Sequence, residues 1–339
     1  MKILATGGAG YVGSAVLRQL LLQGYDAFAY DNISKGYRQA VPEGRLIEGD
    51  LADYDLLVKV LREREIDAVM HFAASIAVGE SVEKPREYYR NNVVNSLTLL
   101  EAMQDAGVKK MLFSSTAAVY APVAEGALNE NSTIDPVSPY ATSKYTIERM
   151  IQDFSTAYGL GYCILRYFNA CGASPDGRYG EAHNPETHLI PLVLQVPLGQ
   201  REFIGIFGDD YNTPDGTCVR DYIHVDDLAD AHIRAVESLD TNEMNKAKVG
   251  GIYNIGTGTG NSVLEVIRET EEVVGREIPI KMLNRRAGDT DRLVAGAERL
   301  RKELGWKPKY DNLRDIIATA WQWHKSHPNG YKDETADKR

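Results

Sequence analysis

Lys2-Ile3-Leu4-Ala5-Thr6-Gly7-Gly8-Ala9-Gly10-Tyr11-Val12-Gly13 is the stretch whose reading decides the fold. Its first five residues are a short apolar run, the glycines form a turn, and Val16, Leu17, Leu20 and Leu21 follow at helical spacing. The glycines fit both G-x-G-x-x-G (Gly8, Gly10, Gly13) and G-x-x-G-x-x-G (Gly7, Gly10, Gly13). Lacking Cβ atoms, such a turn lets backbone N–H groups at a helix N-terminus close on a pyrophosphate. A second apolar run, Ala27-Phe28-Ala29-Tyr30, ends in Asp31, 18 residues past Gly13. A carboxylate there bonds a ribose 2′-hydroxyl and repels a 2′-phosphate, which predicts NAD rather than NADP.

Outward from this turn, strand-like and helix-like stretches alternate. Arg45–Glu48, Ala68–Phe72, Lys110–Ser114 and Tyr162–Phe168 read as strands. Helices are expected over Leu56–Leu61, over Tyr88–Met103 before Gly107, and from Tyr140 to Gly159. That alternation predicts an α/β protein: a Rossmann-type doubly wound parallel sheet. Beyond Asn169 the chain turns rich in Gly, Pro, Asp and Tyr, with one helical patch at Leu189–Val196. Ile223–Val225, Asp226–Ser238 and Tyr253–Ile255 read as a return to the sheet domain. The expected division is a dinucleotide domain over 1–169 plus about 223–256, and a smaller, discontinuous mixed α/β substrate domain over about 170–222 plus 257–330. Residues 331–339 are a charged tail expected to be disordered.

Composition narrows the function classes. At 339 residues, 43% hydrophobic and 25% charged, the chain has the make-up of a soluble globular protein. A net charge of −10 argues against nucleic acid or an anionic membrane as the main partner. No apolar run is long enough to span a membrane, and the N-terminus reads as a strand, not a signal peptide. The three cysteines, Cys163, Cys171 and Cys218, have no metal-type spacing and suit reduced thiols in a cytoplasm. The seven histidines look scattered, so no metal site is expected.

The chemistry is announced by Tyr140-Ala141-Thr142-Ser143-Lys144. Ser138-Pro139 before it supplies an N-cap and a proline at the first helical position. A phenol and an ammonium four residues apart then share one helix face, a spacing found at one only of the chain's 19 tyrosines. A free tyrosine needs roughly 4 kcal/mol of help to be half-ionised at pH 7, and a fixed cation is one source of it. Thr116, at the end of the Lys110 strand, is the hydroxyl expected to face the same group.

The glycine turn, Asp31-Asn32, Asp50-Leu51, Phe72-Ala73-Ala74, Asn91, Ser114-Ser115-Thr116, Tyr140-x-x-x-Lys144 and Tyr167-Phe168-Asn169 together resemble an extended short-chain dehydrogenase/reductase. Within that superfamily the chain is most similar to the UDP-glucose 4-epimerases. The match continues through Ile206–Tyr211, Arg220–Val225, Tyr253–Gly256 and Arg285–Asp289. The resemblance implies NAD as cofactor and a UDP-sugar as substrate, with Tyr140 as base and Lys144 and Thr116 as its catalytic partners. It implies that Gly7, Gly10, Tyr11, Val12 and Gly13 hold the NAD pyrophosphate, Asp31 the ribose, and Asp50 and Leu51 the adenine. Asn32, Phe72, Ala73, Ala74, Asn91, Ser114, Tyr140, Lys144, Tyr167 and Phe168 would line the rest of that site. Thr116 and Tyr140 would face the sugar, and Asn169, His188, Leu189, Ile206, Phe207, Arg220, Arg286 and Asp289 the UDP portion. Leu293 stands where the family places a tyrosine beside sugar C2, and a homodimer through the helices near 88–106 and 140–157 is implied too. Related 4,6-dehydratases carry an acid directly after the site threonine; here Ala117 follows Thr116, which favours epimerisation. A UDP-N-acetylglucosamine or UDP-pentose 4-epimerase, and a non-catalytic NAD-binding regulator, remain the alternatives.

Overall fold

Alternate residues of the strands bury on opposite sides of one sheet, which is what near-continuous apolar runs such as Ile3-Leu4-Ala5 require. In the computed structural model, which describes residues 1–123, 125–239, 250–286 and 289–331, seven strands form this sheet. They are β1 (Lys2–Thr6), β2 (Asp26–Asp31), β3 (Leu46–Glu48), β4 (Ala68–His71), β5 (Lys110–Thr116), β6 (Gly161–Tyr167) and, much later in the chain, β10 (Gly250–Ile255). All their pairings are parallel, in the order β3-β2-β1-β4-β5-β6-β10. Ile3, Ala27 and Ala29 pack on one side with Val16, Leu17 and Leu20 of the first helix. Leu4, Phe28 and Tyr30 pack on the other with Leu57, Leu99, Ile147 and Ile151. Strand order reverses direction between β1 and β4, the place where open α/β sheets bind ligands, and the glycine turn follows β1.

The helices expected around Leu56–Leu61, Tyr140–Gly159, Leu189–Val196 and Asp226–Ser238 form near those bounds. Those at Val78–Glu83, Val263–Val274, Glu298–Leu304 and Leu313–Ser326 were not read from the sequence, and one expected helix is broken. Asp53 caps the Tyr54–Glu63 helix by accepting from Leu56 N, and Ser138 caps Pro139–Tyr158 by accepting from Ala141 N at 3.2 Å. The helix expected over Tyr88–Met103 is instead three pieces: Pro85–Tyr88, a wider π-type turn over Tyr89–Val94, and Asn95–Ala106. The wide turn inserts Asn92 into the interior, where its amide donates to Ser75 O and Ser143 Oγ.

The smaller part of the molecule is built on short strands: β7 (Asn169–Cys171), β8 (Ile204–Phe207), β9 (Val219–His224), β11 (Gly260–Ser262), β12 (Ile280–Leu283) and β13 (Arg292–Leu293). Strand β9 pairs with β7, β11 and β13, and β8 pairs with β12. Ile223, read from sequence as part of the large sheet, therefore belongs to the smaller one. The helix that β9 feeds, Val225–Glu237, returns to the large domain and packs on the first helix, which is why its apolar pattern looked like sheet-domain material. Tyr331, taken as the start of the tail, packs on Trp323 and Tyr37; residues 332–339 lie outside the described residues.

Candidate active site

Gly7 takes φ +72, and a Cβ on it would stand 2.5 Å from the Ala73 backbone nitrogen. A side chain is excluded there because the turn presses directly on the segment that follows β4. Gly10 is the N-cap of the Tyr11–Leu22 helix, offers no capping side chain, and is followed by a first turn free of acidic residues. The amides of that turn are left to an anion, and the helix dipole favours one. Asp31 Oδ2 accepts from Ala9 N at 3.0 Å and Oδ1 from Ile33 N at 2.9 Å. Ile33 holds φ +56 to make the second bond, a region β-branched residues rarely enter. Burial raises the Asp31 carboxyl, and those two amides pull it back down. Asn32 donates to Asp50, and Asp50 in turn caps the Ala52 amide beside Leu51. Phe72 and Ala73 amides both bond Thr6 O, and Asn91 donates to Ser75 Oγ. Glycine cradle, uncapped helix end and ribose-type carboxylate together fit a dinucleotide.

The reactive end lies at the carboxyl ends of β5 and β6. Thr116 stands opposite Tyr167 in register, and Ser114 Oγ donates to Tyr167 Oη at 3.1 Å. Burial is the main influence on Tyr140 and raises its phenol above the ordinary value; neighbouring Tyr167 adds to this, and a hydrogen bond with Thr116 opposes it. Lys144 is 3% exposed, and its ammonium donates to Ser114 O at 2.8 Å. Burial pulls Lys144 down to about 7. The expectation that Lys144 lowers the tyrosine is therefore not met by the protein's own groups. Its nitrogen is committed to a backbone carbonyl, and desolvation outweighs the Glu148 charge at Lys144 and the Thr116 hydrogen bond at Tyr140.

Two residues behind this site were not anticipated. Arg166 on β6 and Glu148 on the Tyr140 helix form a buried bidentate pair, at 2.9 Å and 2.5 Å. Ser115 Oγ also donates to Glu148, and Arg166 reaches Tyr120 Oη at 3.0 Å. The pair fixes the Tyr140 helix against the sheet, and breaking one side of such a pair costs about 3–5 kcal/mol. A glutamate and an arginine 18 residues apart carry no sequence signal of their own.

A cavity of about 540 Å³ opens where the chain leaves β6, with Asn169, Ala170 and Cys171 in its wall. It brings together Asn169, His188, Leu189, Ile206, Phe207, Arg220, Arg286 and Asp289, eight residues drawn from five separate segments. The Arg286 guanidinium lies 3.7 Å from the centre of the Phe207 ring. Arg220 is held by Val219 O and Thr290 O, both at 2.9 Å, and faces Asp289 at 3.6 Å. It makes no pair with Asp221, whose carboxylate is spent on the amides of Thr257, Gly258 and Ala295. Asn169 Nδ2 donates to Asp221 O, tying β7 to β9. Thr116, Tyr140 and Leu293 are not part of this lining. Leu293 pairs with Arg220 in register and packs with Phe168 on the cluster around Ala117 and Tyr120, between the two regions.

Residues 3–256 match the model of the NAD dependent epimerase/dehydratase family. The chain is 49% identical over 339 residues, 100% of both proteins, to the UDP-glucose 4-epimerase of Halalkalibacterium halodurans. It superposes on a crystal structure of a UDP-glucose 4-epimerase with TM-score 0.94 and 48% identity, over 98% of this chain and 100% of that one. The UDP-glucose 4-epimerase of Bifidobacterium longum, solved with NAD+ and UDP, superposes with TM-score 0.91 at 38% identity, over 98% and 100% of the two chains.

Proposed function

This chain belongs to the NAD dependent epimerase/dehydratase family, and from that premise we propose how it works as a NAD-dependent UDP-hexose 4-epimerase interconverting UDP-glucose and UDP-galactose. The observation that supports the assignment of roles is the link through Leu293: it pairs in register with Arg220 of the arginine-bearing cavity and packs with Phe168 on the Ala117–Tyr120 cluster that directly follows Thr116. NAD, when bound, supplies a reversible acceptor for the C4 hydride and a positive ring near the phenol, so that the sugar passes through a 4-keto form. Tyr140 takes and returns the proton of the 4-hydroxyl. Thr116 orients that hydroxyl through the hydrogen bond it shares with Tyr140. Lys144 fixes the geometry by anchoring the helix face to β5. Arg220 and Arg286 hold the diphosphate, and Phe207, Ile206, Asn169, His188, Leu189 and Asp289 surround the rest of UDP. Grip at UDP leaves the hexose free to present either face to the hydride acceptor.

Residues 1–169 plus about 225–256 then serve NAD, and about 170–224 plus 257–330 serve the UDP-sugar. Gly7, Gly10, Tyr11, Val12 and Gly13 take the pyrophosphate, Asp31 the ribose, and Asp50 and Leu51 the adenine. Asn32, Phe72, Ala73, Ala74, Asn91, Ser114, Tyr167 and Phe168 complete the cofactor site. Leu293 gates the space beside sugar C2. It is smaller than tyrosine, which favours secondary activity on UDP-N-acetylglucosamine as a second reading. Exposed Tyr89, Val94 and Leu97, with Val78 and Val82 on the preceding helix, support pairing of two copies through the helices near 88–106 and 140–157. No helix among the described residues is long and apolar enough to cross a membrane. The free cysteines Cys163, Cys171 and Cys218 suit a cytoplasmic location.

A panel of UDP-sugars with product analysis tests the reading. Rapid conversion of UDP-galactose to UDP-glucose, with slower turnover of UDP-N-acetylglucosamine, is the expected result. Preference for the N-acetylated sugar would overturn the substrate assignment.

A further inference from the structure

Glu181-Ala182-His183-Asn184-Pro185-Glu186-Thr187-His188 is a loop whose four chemistry-bearing side chains converge on one point. His183 Nδ1 lies 3.3 Å from Glu181 Oε1 and 3.6 Å from Glu186 Oε2. His188 Nδ1 lies 3.0 Å from Glu181 Oε1 and 2.9 Å from Glu186 Oε1. Ligands at the corners of a tetrahedron around zinc, at bond lengths of about 2.0–2.1 Å, stand roughly 3.3–3.4 Å apart. These four separations bracket that value, and all four ligand atoms lie within 4.8 Å of one another.

A second observation sets this cluster apart from an ordinary network of ion pairs. Glu181 is 3% exposed, yet its Oε1 has no hydrogen-bond partner, and neither has the buried Nδ1 of His183. Protonated imidazoles paired with these carboxylates would aim N–H bonds at the oxygens. His188 Nδ1 does bond Glu186 Oε1 at 2.9 Å, but Glu181 Oε1 and His183 Nδ1 stand close to their neighbours without hydrogen-bond geometry, as ligands facing a shared centre do. A buried carboxylate oxygen without a partner is costly, and a cation removes the cost. The two imidazole rings stand 4.7 Å apart, where two positive charges would repel. The competing occupant is a pair of protons: burial lowers both histidines, but the glutamates more than offset it and bring His183 to about 9 and His188 to about 10.

We propose that Glu181, His183, Glu186 and His188 bind one divalent transition-metal ion, zinc by the chemistry of the ligand set. Two imidazoles and two carboxylates fill all four positions, so the site is structural and leaves no coordination place for a reacting group. Its place in the fold gives it a task. Tyr11 of the glycine turn packs edge-on to His183 at 6.1 Å, while Glu181 and His188 line the UDP cavity. His188 is also the N-cap of the Leu189–Gln195 helix. The ion thus clamps the wall of the nucleotide cavity to the cofactor side of the molecule.

Elemental analysis of the full-length protein, prepared without a metal-binding tag and dialysed after exposure to zinc, tests this. Roughly one zinc per chain is expected, falling below about a fifth of that in His183→Ala and in Glu186→Gln. Chelation of the unaltered protein should lower its melting temperature, with zinc but not magnesium restoring it; this arm decides the matter if the variants do not fold. Less than about a tenth of an ion per chain, with no zinc-dependent change in melting, would leave a protonated ion-pair cluster and overturn the proposal. Undiminished zinc in both variants would overturn it as well, by placing the metal elsewhere. Neither readout is turnover, so the result stands apart from the epimerase assignment.

Discussion

The proposed reactive end and the proposed UDP end of this molecule are built on different plans. Thr116, Tyr140, Lys144 and Tyr167 sit on long, continuous elements of the large domain, two strand ends and one 20-residue helix. Lys144 is buried, and Glu148 and Arg166 lock the helix from behind. The UDP cavity is assembled from short strands and loops, with Arg286 resting on an aromatic face and Arg220 on backbone carbonyls. The contrast follows from what each end does. Proton transfer needs atoms fixed to a fraction of an ångström and proton affinities moved far from water values, which a dry, rigid frame provides. Gripping a diphosphate needs area and cations, which loops provide as well as helices.

The sharpest way to break this comparison is at the base. Tyr140→Phe removes the phenol without opening a cavity. Turnover should fall by about a hundredfold or more, on the order of 3 kcal/mol of transition-state stabilisation, with bound NAD retained. Steady-state kinetics and the absorbance of the released cofactor check both halves, and near-normal turnover would remove Tyr140 from its role. Next in size is Arg220→Ala, which removes a charge-assisted bond worth about 1.5–3 kcal/mol. UDP affinity by calorimetry should drop roughly tenfold to a hundredfold while kcat changes less. A collapse of kcat at unchanged affinity would move Arg220 to the reactive end.

Leu293 stands between the two regions, so its replacement sharpens the boundary. Leu293→Tyr should suppress turnover of UDP-N-acetylglucosamine by roughly tenfold and spare UDP-galactose. Equal loss on both substrates would mean that Leu293 supports packing around Phe168 rather than gating. The smallest effect is expected at Asp31. Removing its charge in Asp31→Ala should narrow the preference for NAD over NADP by on the order of fivefold, the equivalent of about 1 kcal/mol. Equal binding of both cofactors by the unaltered protein would contradict the reading of Asp31.

What the sequence made legible follows the same division. The glycine turn, its strand and helix, and the capped helix of Tyr140 and Lys144 are contiguous, so local rules of capping and periodicity suffice to place them. The Arg166–Glu148 pair, the partnership of Arg220 with Asp289 rather than Asp221, and the membership of β9 in the small sheet depend on contacts distant in sequence. No local pattern encodes them. Proton affinities were misjudged for a related reason. The spacing of Tyr140 and Lys144 gives their shared face, but not the desolvation that raises one and lowers the other. His183 and His188 looked scattered because their spacing matches no helix or strand, and only the loop's path brings them together.

The central claim is that grip and chemistry are separate: the cavity around Arg220 and Arg286 holds UDP, and Tyr140 acts only on the sugar. Calorimetric titration of free UDP, which lacks the hexose, into Tyr140→Phe tests it most directly. The account predicts an affinity within about twofold of the unaltered protein, since Tyr140 is not among the residues that line the cavity. Binding weakened by about tenfold or more would show that Tyr140 takes part in the grip, and the two regions would have to be read as one site.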